Sequence, residues 1–184
     1  MAVHAHMNPA WRNKWLLLAG IMLAFAAYCV YDATVGYPGH NEKVAAFEEL
    51  EKTARLPEWP ALARERGWST EQPDPAYSED DIATQWKMAA IFGVLAIVVL
   101  GNVLRISRTK LAAEDDALVG PGGRRVPYGE ITDIDKVRWD SKGIAVVHYG
   151  ENGKQRLKID DWVYRDADLV LQEVEQRTGI SKPV

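Results

Sequence analysis

Two uncharged apolar runs interrupt an otherwise polar chain. The first extends from Trp15 to Tyr31 and the second from Met88 to Leu104. At a rise of about 1.5 Å per residue, a helix over either run covers most of a hydrocarbon core about 30 Å thick. With their flanks, the runs predict two transmembrane helices, at residues 15–35 and 86–105.

Aromatic residues stand at the ends of both runs. Amphipathic rings prefer the headgroup layer of a bilayer, so aromatic residues at these positions are typical membrane-interface anchors. We expect this role for Trp11, Trp15, Tyr31 and Trp86.

Small residues one helical turn apart allow membrane helices to approach closely. Gly20 and Ala24 supply such a stripe in the first helix, and Ala89 and Gly93 supply one in the second. A hairpin packed along these residues is one interpretation. The other is ordinary membrane-helix composition, since small residues are common there.

The distribution of cations predicts the orientation. Arg12 and Lys14 precede the first run, whereas Arg105, Arg108 and Lys110 follow the second. Cytoplasmic flanks carry the excess of Lys and Arg, so both termini are expected in the cytoplasm and the intervening loop outside. The predicted organisation is a cytoplasmic N-terminus (1–14), an exported loop with short helices (36–85) between the two helices, and a cytoplasmic domain (106–184).

A cleaved signal peptide is the competing interpretation of the first run. A basic region precedes it, and Ala24-Phe25-Ala26 is similar to a small-residue cleavage site. A lipoprotein signal is disfavoured because Tyr28, a bulky residue, precedes Cys29. An uncleaved anchor is favoured.

The exported loop is predicted to contain an amphipathic helix over residues 41–56. Val44, Phe47 and Leu50 fall on one face of that helix, which we expect to be an interaction face. A second short helix over 60–66, the membrane surface or a partner protein would cover it. Ser78 and Asp81 form a capping box, so a helix should begin at Glu79 and continue into the second apolar run.

The C-terminal part alternates short β-type runs with turns. Strands are predicted at 117–119, 124–126, 131–139, 143–149 and 154–159, with turns at Gly120–Gly123 and Asn152-Gly153. A closing helix over 166–178 places Ala167, Val170, Leu171 and Val174 on one face. The expected fold class is a membrane helical hairpin joined to an α+β domain with a curved antiparallel sheet and a terminal helix.

Within about residues 110–180 the chain resembles bacterial pleckstrin-homology-like (PH-like) domains. The resemblance lies in the meander order, the Val126-Pro127-Tyr128-Gly129-Glu130-Ile131 stretch, Trp139, Lys142-Gly143 and Asp160-Asp161-Trp162. It implies a curved sheet or barrel capped by the terminal helix, and a binding or assembly module of the bacterial inner membrane.

The chemistry that the sequence offers is sparse. A net charge of -4 argues against nucleic-acid binding. No catalytic set, metal-ligand spacing or cofactor fingerprint occurs, and Cys29 lies in an apolar run typical of burial. We therefore expect no enzyme activity, metal or cofactor.

Two functions remain in competition. The first is a non-enzymatic scaffold or accessory subunit of a membrane complex, whose partners are the lipid bilayer and other membrane proteins or a second copy. The alternative is recognition of anionic lipid headgroups. The residues proposed for the alternative are basic: Arg105, Arg108, Lys110, Arg124 and Arg125.

Overall fold

A computed structural model describes residues 2–180. The chain forms two compact units. The first, here called the sheet unit, combines the N-terminal 18 residues with the chain from Val98 onward. The second, the helical unit, spans Ala19–Ile97.

Two long helices connect the units along the chain. Helix α1 spans Pro9–Tyr31 and continues through a π-helical turn, Asp32–Gly36, into α2, Tyr37–Lys52. The helix α4 spans Glu79–Ser107. Both stretches are long and apolar enough to cross a membrane, which confirms the prediction of two long apolar helices.

The junction between α1 and α2 differs from the expected loop. Because proline lacks an N–H, Pro38 would leave a gap in an ordinary α-helical ladder. It lies instead in the first turn of α2, directly after the π-helical turn. The wider turn absorbs the irregularity, so the chain stays helical from α1 into α2.

The start of α4 is the predicted capping box. The Ser78 hydroxyl accepts a hydrogen bond from the Asp81 N–H at 3.2 Å, and an Asp81 carboxylate oxygen accepts one from the Ser78 N–H at 2.9 Å. The Ser78 hydroxyl also donates to the Asp81 carboxylate at 2.7 Å, and this bond, together with the one from the Ser78 N–H, lowers the pKa of the Asp81 carboxyl group. Two backbone donors at the helix start are thereby satisfied.

The buried stripes in the helical unit differ from the expected ones. Over residues 19–36 the buried residues of α1 and the π-helical turn are Ala19, Ala26, Cys29 and Ala33, whereas Gly20 and Ala24 are exposed. On α4 they are Ala89 and Ala96, with Gly93 half-buried. The α1 stripe follows a seven-residue repeat, and Gly20 lies about 100° around the helix from Ala19.

An aromatic contact joins α1 to α4 in the same unit. The rings of Phe25 and Phe92 meet edge to face, with centroids 4.6 Å apart. Such pairs contribute about 0.5–1.5 kcal/mol beyond their buried area.

A short helix covers the apolar face of α2. After a 3₁₀ turn at Leu56–Glu58, the helix α3 spans Trp59–Glu65. Leu50, Trp59 and Ala63 are buried together. The Phe47 ring meets the Trp59 ring edge to face at 5.1 Å, and the Trp59 Nε1 donates a hydrogen bond to the Thr70 carbonyl oxygen at 3.0 Å.

This cluster corrects the expected interaction face of the helix predicted over residues 41–56. Val44 and Leu50 are buried and Phe47 is half-buried. The face was expected to be covered by a second short helix, the membrane surface or a partner protein. Helix α3 of the same chain covers it at Leu50 and Phe47. These residues therefore build a small core and do not form a free surface.

Within residues 2–180, the sheet unit contains eight strands in two antiparallel sheets. The strands are β1 (Val3–Met7), β2 (Leu111–Ala113), β3 (Ala117–Gly120), β4 (Arg124–Pro127), β5 (Ile131–Arg138), β6 (Ile144–Tyr149), β7 (Gln155–Asp160) and β8 (Tyr164–Arg165). One sheet has the order β4-β3-β2-β1-β8 and the other the order β5-β6-β7. A one-turn helix, α5 (Trp139–Lys142), separates β5 from β6.

The terminal helix, α6 (Ala167–Thr178), supplies one side of the core. Its buried residues are the four predicted ones, Ala167, Val170, Leu171 and Val174. Asp166 precedes it in a left-handed conformation without a side-chain cap bond, and Gly179 ends it at φ 70°. A C-terminal antiparallel sheet domain that ends in a helix is thereby confirmed.

Strand β1 is the main element that the sequence analysis missed. It pairs with β2 through Ala5 and Leu111, and with β8 through Met7 and Tyr164. Ala5 is buried in the core, whereas His4 and His6 are exposed. The N-terminal residues are therefore part of the domain that the C-terminal residues build.

Candidate membrane-facing site

A groove in the sheet unit lies between the end of α4 and the turn that joins β3 to β4. Its volume is about 690 Å³. Its lining residues are Gly101, Leu104, Arg105, Arg108, Thr109, Gly122 and Gly123. The turn residues Gly122 and Gly123 have φ angles of 81° and 75°, a conformation that glycine adopts without steric cost.

Two of the five predicted basic residues line this groove. Arg105 lies in the last turn of α4, and Arg108 directly follows the helix, where its N–H donates to the Arg105 carbonyl oxygen at 3.3 Å. An Arg105 Nη2 donates a hydrogen bond to the Asn102 Oδ1 at 3.0 Å, which helps to fix the direction of its guanidinium. Lys110 and Arg124 are exposed but do not line the groove.

Arg125 is engaged elsewhere. Its guanidinium donates to the carboxylates of Glu114 and Asp116 on the neighbouring hairpin. The hydrogen bond to Glu114 and the charge of Asp116 raise the pKa of Arg125. Two acids thus compensate its charge, and we remove Arg125 from the predicted headgroup set.

Hydrogen bonds tie the end of α4 to the sheet core. The Thr109 hydroxyl donates to the Ile106 carbonyl oxygen at 2.7 Å and lies 2.5 Å from the Tyr164 hydroxyl. Tyr164 is buried in β8, and burial raises the pKa of its phenol. This contact fixes one wall of the groove relative to the sheet.

An aromatic–cationic contact lies beside the start of α1. The Lys14 ammonium lies over the Trp162 ring, 5.8 Å from its centroid, and Trp162 is 51% exposed. The Asn8 N–H donates to the Val163 carbonyl oxygen at 2.8 Å, and the Asn8 side chain accepts the N–H of Ala10 at 2.9 Å. Trp162 was not among the predicted anchors because it stands far from either apolar run.

The predicted aromatic anchors divide into two groups. Tyr31 and Trp86 are exposed, as an interface role requires. Trp11 is only 5% exposed and Trp15 is half-buried, with their ring centroids 6.1 Å apart. Trp11 is therefore a packed residue of the sheet unit, which corrects the prediction for that position.

A second, shallow cavity lies on the outer face of the β5–β6–β7 sheet. Its volume is about 260 Å³, and it is lined by Asp135, Arg138, Ile144, Val146, His148 and Arg156. Cross-strand register sets Asp135 beside Val146, and His148 beside Arg156. The His148 Nδ1 lies 3.3 Å from the Gly153 carbonyl oxygen, so the turn before β7 occupies one ring nitrogen.

Neither cavity has the donor set of a metal centre. Within residues 2–180 no three His, Cys, Asp or Glu side chains converge on a point where they could hold an ion. Cys29 is buried and free.

Comparisons with protein-family profiles, curated proteins and solved structures gave no match. The PH-like resemblance therefore stays a prediction.

Proposed function

We propose that the chain is a non-enzymatic, two-pass protein of the bacterial cytoplasmic membrane. In this proposal the sheet unit is a cytoplasmic, PH-like interaction domain, and the protein acts as a scaffold or accessory subunit of a membrane complex. The observation that carries the proposal is the position of β1 between β2 and β8.

Exposed apolar surface supports the membrane assignment. The helix inside a soluble core buries most of its apolar residues, but only 22% of the apolar window in the first helix is buried, and 17% in the second. Large apolar surfaces left exposed mark contact with lipid or protein. A bilayer covers both helices at once.

The shared sheet supports an uncleaved first helix. Cleavage near Ala26 would remove β1 from the middle of the five-stranded sheet and leave the edges of β2 and β8 unpaired. Unpaired edges are a liability for aggregation. The competing signal-peptide interpretation therefore conflicts with the fold.

The same sheet supports a common side for the two ends of the chain. Asn8 alone separates β1 from α1, and residues 108–110 separate α4 from β2. Because these joins are short, they support a topology in which both helices enter the bilayer from the same side. The cations at Arg12, Lys14, Arg105 and Arg108 favour the cytoplasmic side.

The outer face of the β5–β6–β7 sheet is the proposed protein-binding surface. Ile144 and Val146 lie half-buried on it, with charged side chains on the flanking strands, and β5 exposes Val137 by 87%. An apolar centre with a polar rim is the usual anatomy of a protein interface. Bulges in β5 limit edge pairing, which favours contact through side chains.

Cysteine labelling tests the topology in intact cells. In a Cys29→Ser background, an impermeant maleimide should label Glu71→Cys from outside, and should label His4→Cys and Lys154→Cys only after permeabilisation. Labelling of His4→Cys and Lys154→Cys from opposite sides would contradict the proposal that both ends of the chain lie on one side of the membrane in a single sheet.

Particle mass in mild detergent tests the scaffold role. We expect a stoichiometric complex that Val137→Asp dissociates and that Leu169→Asp leaves intact, because Leu169 is exposed on α6, away from the proposed surface. A lone monomer for the unmodified protein would refute the accessory-subunit proposal.

A further inference from the structure

We propose that the groove at the end of α4 binds one anionic phospholipid, with the headgroup phosphate between the two arginines and an acyl chain along the helix. The inference rests on the proposed function only in that α4 must cross the membrane.

The groove changes from apolar to basic along the helix axis. Leu104 is 57% exposed, and a Cβ added at Gly101 would meet no atom within 4 Å, so this part of the wall is open and apolar. Arg105 follows Leu104 directly, about 1.5 Å further along the axis. Arg108 lies in the turn just after the end of the helix. A phospholipid has the same order of groups, with chains followed by a charged phosphate.

The electrostatics favour an anion in spite of the helix direction. The C-terminal end of a helix carries about half a negative charge, which opposes phosphate binding. Local hydrogen bonds partly satisfy the last carbonyl groups, including one from the Ser107 hydroxyl to the Leu104 oxygen at 2.8 Å. Two full guanidinium charges outweigh the remaining dipole.

The opposite wall suits a headgroup. Gly122 and Gly123 line it without side chains, so a phosphate can approach the backbone closely. The volume of about 690 Å³ lies within the usual range for small-molecule sites.

Lipid titration followed by native mass spectrometry tests the site on the full-length protein in mild detergent. The two ligands are phosphatidylglycerol and phosphatidylcholine with identical chains. We expect one phosphatidylglycerol to be retained and phosphatidylcholine to bind more weakly. The double variant Arg105→Gln/Arg108→Gln should weaken the first affinity about 30-fold, since each basic residue contributes about fivefold.

Three variants serve as controls. Arg125→Gln and Lys154→Gln each remove one cation outside the groove and should leave the affinity within about twofold. Arg105→Lys/Arg108→Lys keeps both charges and should restore most of the binding. The proposal would be overturned if the two lipids bound with equal affinity, or if all the neutralised variants lost the same affinity. Displacement of the lipid by millimolar inorganic phosphate would also overturn it.

The outcome is separable from that of the proposed function. Cysteine labelling reports whether α4 crosses the membrane, whereas the lipid titration reports only the groove. Correct topology without selective lipid retention would reject the site and leave the scaffold proposal standing.

Discussion

At the scale of single residues, Gly120 is fixed by a close neighbour. A Cβ at this position would lie 2.3 Å from the Leu157 Cδ1, on a side chain that is itself buried. We expect Gly120→Ala to destabilise the sheet unit by about 1–3 kcal/mol, the usual cost of overpacking a core. Denaturant unfolding measures the change. Gly129→Ala, where a Cβ meets nothing within 4 Å, should have little effect.

Asp161 should make stability depend on pH. Burial and the neighbouring charges of Asp168, Asp160 and Asp166 raise the pKa of its carboxyl group. Its ionised form is therefore less favourable in the folded state, and the penalty is present at neutral pH and absent below the unfolded carboxyl pKa of about 3.9.

Asp161→Asn should consequently raise the free energy of unfolding at pH 7 by a small amount, about 0.5 kcal/mol or less, because solvent screens this exposed site. The gain should vanish near pH 3. Asp140→Asn, which removes an exposed carboxylate from α5, is the control. A gain that persists at pH 3 would show that charge is not the cause.

At the scale of elements, Asn41 clamps an extended segment against α2. Its Oδ1 accepts the Tyr77 N–H and its Nδ2 donates to the Tyr77 carbonyl oxygen, each at 2.8 Å. The Tyr37 and Tyr77 rings stack with centroids 3.7 Å apart. We expect Asn41→Ala to cost about 1–3 kcal/mol locally, since two hydrogen bonds are lost.

Hydrogen exchange and limited proteolysis of the segment before Glu79 measure that loss. Gln72→Ala, at an exposed position of the same segment, should leave both unchanged. Equal protection of the Asn41→Ala variant and the unmodified protein would mean that the ring stack and the contacts of His40 with the same segment hold it without Asn41.

Local signals explain which elements could be predicted. The α4 cap and the buried face of α6 depend on residues within a few positions of each other, so the pattern contains the information. Strand β1 has only five residues, two of them exposed histidines, and its partner Leu111 is more than a hundred residues away. A short strand with distant partners leaves little local pattern.

The same limit applies to the site. Arg105 and Arg108 follow an apolar run, and the positive-inside rule locates them. The hairpin register decides which arginines are paired with acids. It places Arg125 against Glu114 and Asp116, whereas Arg108 lines the groove. The stripe at Ala19 and Ala26, rather than at Gly20 and Ala24, likewise depends on how the helices turn toward their neighbours.

At the scale of the whole molecule, β1 makes the two ends of the chain one folding unit, and a charge at Ala5 tests this. Ala5 is buried in the core, so Ala5→Asp would bury a carboxylate without a partner, at a cost of several kcal/mol. His4→Asp, on the exposed face of the same strand, is the matched control and should change stability by about 0.5 kcal/mol or less.

Hydrogen exchange at the β2 and β8 amides is the decisive measurement, because β1 lies between these strands. Ala5→Asp should expose both sets of amides together, and His4→Asp neither. Loss of protection would also mean that the sheet no longer holds the ends of α1 and α4 together. The support for entry of both helices from one side of the membrane depends on that sheet. If the two variants behave alike, β1 is not an integral strand, and the shared-sheet basis of the proposed topology fails.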